Sequence, residues 1–195
     1  MSESRREFLK LLGATTVLAG CKPADVKAQP ELTPRRLMIN GNMVIPFDDE
    51  GPLNEEFRSR IRSTGLAAIK QTIGGSSGSY QDTKEELNFF DKIIAENASI
   101  YAQINSVADI DRAYADQRVG IIKSFEASTP IEDDLSGIAE FAGMGVRVMQ
   151  LSYNNTSSLG AGVMSVDGPL GLSERGREAI ALMQENGVLL DLSHS

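Results

Sequence analysis

A chain of 195 residues, 41% hydrophobic and 24% charged, has apolar material for one domain with a sizeable core and too little length for more than two. Nineteen Lys and Arg against 27 Asp and Glu leave a net charge of -8, which argues against nucleic-acid binding through a basic face. One Cys and one His exclude an intrachain disulfide, and also zinc-finger, iron–sulfur and three-histidine sites built from this chain alone.

Residues 1–21 read as an export signal and are set apart from the fold. Arg5-Arg6, with Phe8 two places further on, resembles the twin-arginine signal of bacterial exported proteins. The apolar run at 11–20 falls well short of the roughly 20 residues that a spanning helix needs. It ends in Leu18-Ala19-Gly20-Cys21, which resembles a bacterial lipobox and makes Cys21 the predicted lipid-attachment residue; plain cleavage beside an incidental Cys is the alternative. Residues 22–35, with three prolines, read as a tether. The folded part, 36–195, is thus expected outside the cytoplasmic membrane, held to it through Cys21.

After the tether, strands and helices alternate. Residues 36–45 predict a first strand, 55–63 a short helix and 66–73 a second strand. Thr83-Lys84-Glu85-Glu86 reads as a capping box opening a helix with Leu87, Phe90 and Ile94 on one face. Short elements follow: a strand near 100–104 and a helix at 107–115. Residues 119–125 predict a buried strand, and 133–144 a helix with Leu135, Ile138 and Ala142 inward. The pattern closes with a strand at 146–151, a helix at 173–186 with Ile180 and Met183 inward, and a strand at 188–192. Near-continuous apolar strands separated by helices predict an α/β fold with a parallel sheet. Periodicity alone leaves both an open doubly wound sheet and a barrel possible. The chain stops just past a buried-type strand, so it is expected to be the amino-terminal portion of a longer fold.

In parallel α/β folds reactive groups gather at the carboxyl ends of strands. Two residues there have metal-ligand chemistry: Glu126 after the 119–125 strand, and His194, the only imidazole, after Leu190-Asp191-Leu192.

Five ordered features occupy residues 146–195. They are a strand leading into Leu151-Ser152-Tyr153-Asn154, the Gly160-x-Gly162 loop, Gly171-Leu172-Ser173 running through Gly176-Arg177 into a helix, Asn186-Gly187, and Asp191-Leu192-Ser193-His194. With Phe125-Glu126 upstream, this stretch resembles the bacterial branch of the membrane (renal) dipeptidase family of zinc metallopeptidases. The resemblance implies a partial TIM-like (β/α)8 barrel and hydrolysis of dipeptides by zinc-activated water. It implies Glu126 as the bridge between two zinc ions, His194 as a ligand of the second, and Tyr153 and Asn154 as substrate-binding residues. Where the family carries Asp-Gly-His-x-Asp on its first strand, this chain has Asn40-Gly41-Asn42-Met43-Val44. Asn42 is a poor zinc ligand and Val44 is none, so at most one zinc per chain is expected. Two readings follow: an exported metallo-dipeptidase, or a degenerate relative that binds peptides or small molecules without turnover. An unrelated amidohydrolase-type barrel would share the fold but not the 171–194 motifs.

Overall fold

The computed structural model of the chain describes residues 37–45, 52–74, 78–166 and 171–195. The export signal, Cys21, the tether, and three residues of the Gly74–Gly78 turn lie outside them. Six strands form one sheet: β1 (Met38–Met43), β2 (Leu66–Ile73), β3 (Tyr101–Gln103), β4 (Val119–Phe125), β5 (Val146–Gln150) and β6 (Leu189–Asp191). Five helices alternate with them: α1 (Glu55–Ser63), α2 (Tyr80–Glu96), α3 (Val107–Ala115), α4 (Gly137–Gly143) and α5 (Glu174–Glu185). Among the described residues no helix is long and apolar enough to cross a membrane.

Every strand pair is parallel, in the order β1-β2-β4-β5-β6. β3, only three residues long, pairs with Val119–Ile121 of β4, while β5 takes up the same edge from Lys123 to Phe125. β2 pairs with β4 along the other edge, from Gly120 to Phe125, so β3 lies on the far side of β4 from β2 and the order departs from simple chain sequence.

The strand faces divide the chemistry. Ile73, Phe125 and Met149 pack against Leu87 and Phe90 of α2, Ile138 and Phe141 of α4, and Ala179 and Met183 of α5. Phe141 meets Phe125 edge-to-face at 5.0 Å between ring centroids, a favoured aromatic geometry. A second cluster joins Ile69, Ile121, Tyr101 and Val119 to Ile94 and Ile100. Within the core, fully buried Lys123 pairs with Asp91 and donates to the Met144 carbonyl at 2.9 Å, which keeps its ammonium from being stranded.

The opposite face carries Lys70 and Thr72 of β2 and Asp191 of β6, and it is concave. Lys70 Nζ pairs with Asp191 Oδ2 although β4 and β5 stand between their strands. Three steps across a flat sheet would separate those backbones by about 14 Å, beyond the reach of a lysine and an aspartate. The sheet curls to bring them together, as in a TIM-like half-barrel, which resolves the choice that periodicity left open.

Two expectations need correction. α2 begins a turn earlier than predicted, because Ser79 caps it: its hydroxyl accepts from the Asp82 amide and Asp82 reaches back to the Ser79 amide. Thr83, predicted as the cap, lies inside the helix and is buried. The 133–144 segment is helical only over Gly137–Gly143, after a 3-10 turn at Thr129–Ile131. Asp134 Oδ1 takes the Ser136 amide at 2.9 Å, and this local turn competes with helix. Leu135, Ile138 and Ala142 are buried nonetheless, so the apolar pattern was right where the helix boundary was not.

Candidate functional site

The carboxyl ends of β1, β4, β5 and β6 supply the polar groups. Asn42, near the end of β1, turns its carboxamide across β2. Its Nδ2 donates to Glu126 Oε1 at 2.9 Å, and its Oδ1 accepts from Thr72 Oγ1 at 2.8 Å. Glu126 follows β4 directly and is half-buried. Val44, the other residue of the first-strand motif, is 66% exposed.

At the far side of the same end, His194 follows β6. Its ring stacks on Tyr153 at 4.3 Å between centroids, with 27° between the planes. Its Nδ1 lies 3.3 Å from Asn154 Oδ1. With the proton on Nδ1, that contact is a hydrogen bond and leaves the Nε2 lone pair outward, the form a metal ligand or proton acceptor needs. Asn154 is thus tied to the imidazole itself. Tyr153 and Asn154 also line a polar cavity of about 260 Å³ with Ser128, Thr129 and Glu132.

Gln150, buried at the end of β5, joins the two halves. In the orientation that satisfies its amide, the nitrogen donates to the Ser193 carbonyl at 2.8 Å and to the Glu126 carbonyl at 3.1 Å. Asp191 closes the set, with Oδ2 on Lys70 and Oδ1 accepting from the Ser193 amide at 2.9 Å. Burial pushes the Asp191 carboxyl up, but the hydrogen bonds from Lys70 and Ser193 outweigh it and hold the group at about 2. Glu126, His194, Tyr153 and Asn154 are the residues expected here from the sequence; Gln150, Lys70 and Asp191 join them only in the structure. The available signal was a polar side chain inside each of three apolar strands.

The donor set does not fit a two-ion centre. Among the described residues no group of three or more His, Cys, Asp or Glu side chains is placed to hold a metal. The Asn42 NH2 faces the carboxylate, and an amide nitrogen in that position offers protons rather than a lone pair. What remains is two donors of the right chemistry, Glu126 and His194.

The sequence profile of membrane dipeptidase, peptidase family M19, matches residues 57–195. Among solved structures, the chain is similar to an amidohydrolase from Pseudomonas aeruginosa, with 30% identity and a TM-score of 0.72 over 81% of this chain and 46% of that one. The probable dipeptidase PvdM from Pseudomonas aeruginosa shares the fold at 20% identity and a TM-score of 0.65, over 82% of this chain and 47% of that one. So does a metallo peptidase from Rhodobacter sphaeroides, solved with a phosphinate mimic of the dipeptide L-Ala-D-Ala, at 16% identity and a TM-score of 0.61, over 81% and 58%. The chain spans about half the length of the structures it matches.

Proposed function

The chain belongs to the membrane dipeptidase family, peptidase family M19, and from that membership we propose that it serves in an exported, dipeptidase-like hydrolase of dipeptides or similar small peptides. The observation that carries this reading is the assembly of Glu126, Tyr153, Asn154 and His194 at one end of the curled sheet, bound together through Gln150. Tyr153 and Asn154 flank a polar cavity suited to a small peptide. The resident metal is zinc, with Glu126 and His194 as this chain's ligands and at most one ion per chain, since Asn42 and Val44 complete no second position. Such an ion would supply polarisation of the scissile carbonyl and an activated water. The chain's own residues orient the imidazole and hold the carboxylate.

We further propose that export follows the twin-arginine route and that Cys21 carries the lipid that anchors the protein outside the cytoplasmic membrane. No nucleic acid is expected among the partners of so acidic a chain.

One observation favours a second reading, a relative that binds peptides without turnover. The Asn42–Glu126 hydrogen bond satisfies, with a neutral amide, an oxygen that a cation would otherwise claim. Hydrolysis and calorimetric binding of L-Ala-D-Ala by the full protein, with zinc and after chelation, separate the two. Zinc-dependent release of alanine supports the hydrolase. Binding with no release supports the second reading, and neither binding nor release would refute both.

A further inference from the structure

We propose that Lys70 and Asp191 are positioning residues for His194: the ion pair across the concave face of the sheet sets the turn that presents the imidazole. The inference rests on the functional reading above for the use to which that imidazole is put.

The two charges sit where charges are expensive. Lys70 is 8% exposed in the middle of β2, and the Asp191 carboxylate is largely shielded. A buried pair of this kind is often no more stabilising than apolar residues of the same volume, so packing alone gives no reason to keep it. The two carboxylate oxygens divide their work. Oδ2 engages Lys70, and Oδ1 takes the amide of Ser193, the residue before His194. An apolar pair would fill the same space and leave that amide without its acceptor.

The turn it holds is unusual. His194 has φ of 65°, in the left-handed region that non-glycine residues rarely adopt. Such a conformation persists where its surroundings over-determine it. Here the Ser193 carbonyl is held by Gln150, the His194 carbonyl accepts from the Val163 amide at 2.9 Å, and the ring is fixed by Tyr153 and Asn154. Lys70, through Asp191, ties the same turn to β2.

The test is the imidazole itself. In histidine-labelled full chain, the His194 ring is identified as the signal lost in His194→Gln. The unaltered protein is expected to show ring protons displaced upfield by Tyr153 and one dominant tautomer, protonated at Nδ1. The double variant Lys70→Met with Asp191→Leu, read in its folded baseline, should lose both signatures, while Lys70→Arg should keep them. A folded double variant that retains both would show the pair to be structural only and overturn the proposal. Should that variant not fold, Asp191→Ala, which removes the acceptor of the Ser193 amide, is read in the same way, with loss supporting the proposal and retention overturning it. If the functional reading fails instead, the unaltered protein releases no alanine from L-Ala-D-Ala, while the ring signatures still depend on the pair.

Discussion

The carboxamide of Asn42 donates to the carboxylate of Glu126 over 2.9 Å, joining the ends of β1 and β4 above the strand between them. Thr72, on that intervening strand, donates to the other end of the same amide. Asn42 is therefore oriented by one hydrogen bond and spends its protons on the other. One oxygen of the carboxylate is thereby satisfied with no cation beside it.

This arrangement limits metal content. The full protein should hold at most one zinc per chain by elemental analysis after extensive dialysis. Asn42→His with Val44→Asp supplies an imidazole and a carboxylate where an amide and an isopropyl group now stand, and should raise both zinc content and dipeptide hydrolysis. Glu126→Gln should lose the zinc that remains. Two tightly held zincs in the unaltered protein would mean that other residues build the first site.

Asp191 makes stability depend on pH in a predictable direction. An unfolded aspartate titrates at about 3.9, whereas Asp191 in the fold is held down to about 2. The folded state thus binds the proton less readily. The contribution is fully present above about pH 4 and is lost as pH falls towards 2. Urea unfolding at stepped pH should show the unaltered protein losing its advantage over Asp191→Asn across that window. Parallel curves for the two would contradict the assignment.

Gly162 is required for space. A Cβ there would stand 2.5 Å from the carbonyl oxygens of Tyr153 and Asn155. The neighbouring amides of Val163 and Met164 donate to Tyr153 and Asn154 carbonyls at 3.3 and 2.8 Å, so the loop backbone lies directly on the segment bearing the site. Gly162→Ala should destabilise the fold by about 1–3 kcal/mol. It should also weaken dipeptide binding by displacing Tyr153 and Asn154. An unchanged melting temperature and affinity would show that the loop moves aside at little cost.

Export and anchoring are tested separately. Labelled fatty acid should enter the full-length protein through Cys21, and Cys21→Ser should release it from the membrane. Replacing Arg5-Arg6 by Lys-Lys should hold a precursor in the cytoplasm. Unaltered membrane retention of Cys21→Ser would refute the lipid anchor.

Much of the fold is legible in the sequence. Apolar runs such as Leu66 to Ile69 and Val119 to Ile122 read as the cores of buried strands, and their alternation with amphipathic helices implies a parallel sheet. The 55–63 and 107–115 helices and the 66–73 and 119–125 strands lie where periodicity set them. Boundaries failed where a short polar side chain could satisfy the backbone in two ways. Ser79 took the cap that the pattern around Thr83 also offered, and Asp134 made a turn where a helix was expected.

Glu126, Tyr153, Asn154 and His194 stood out in the sequence as candidates because each follows a strand within a recognisable motif. Their partners were not. Which polar residue meets which depends on the curl of the sheet, and that curl is a property of the whole set of packed strands and helices. The sequence by itself determined the strand and helix chemistry, the family motifs, and the presence of an amide at Asn42 and an aliphatic side chain at Val44. Only the tertiary structure brought Lys70 to Asp191 over 121 positions and Asn42 to Glu126 over 84. Side-chain chemistry can be read one residue at a time, whereas a contact between distant strands exists only once packing has fixed the distance between them.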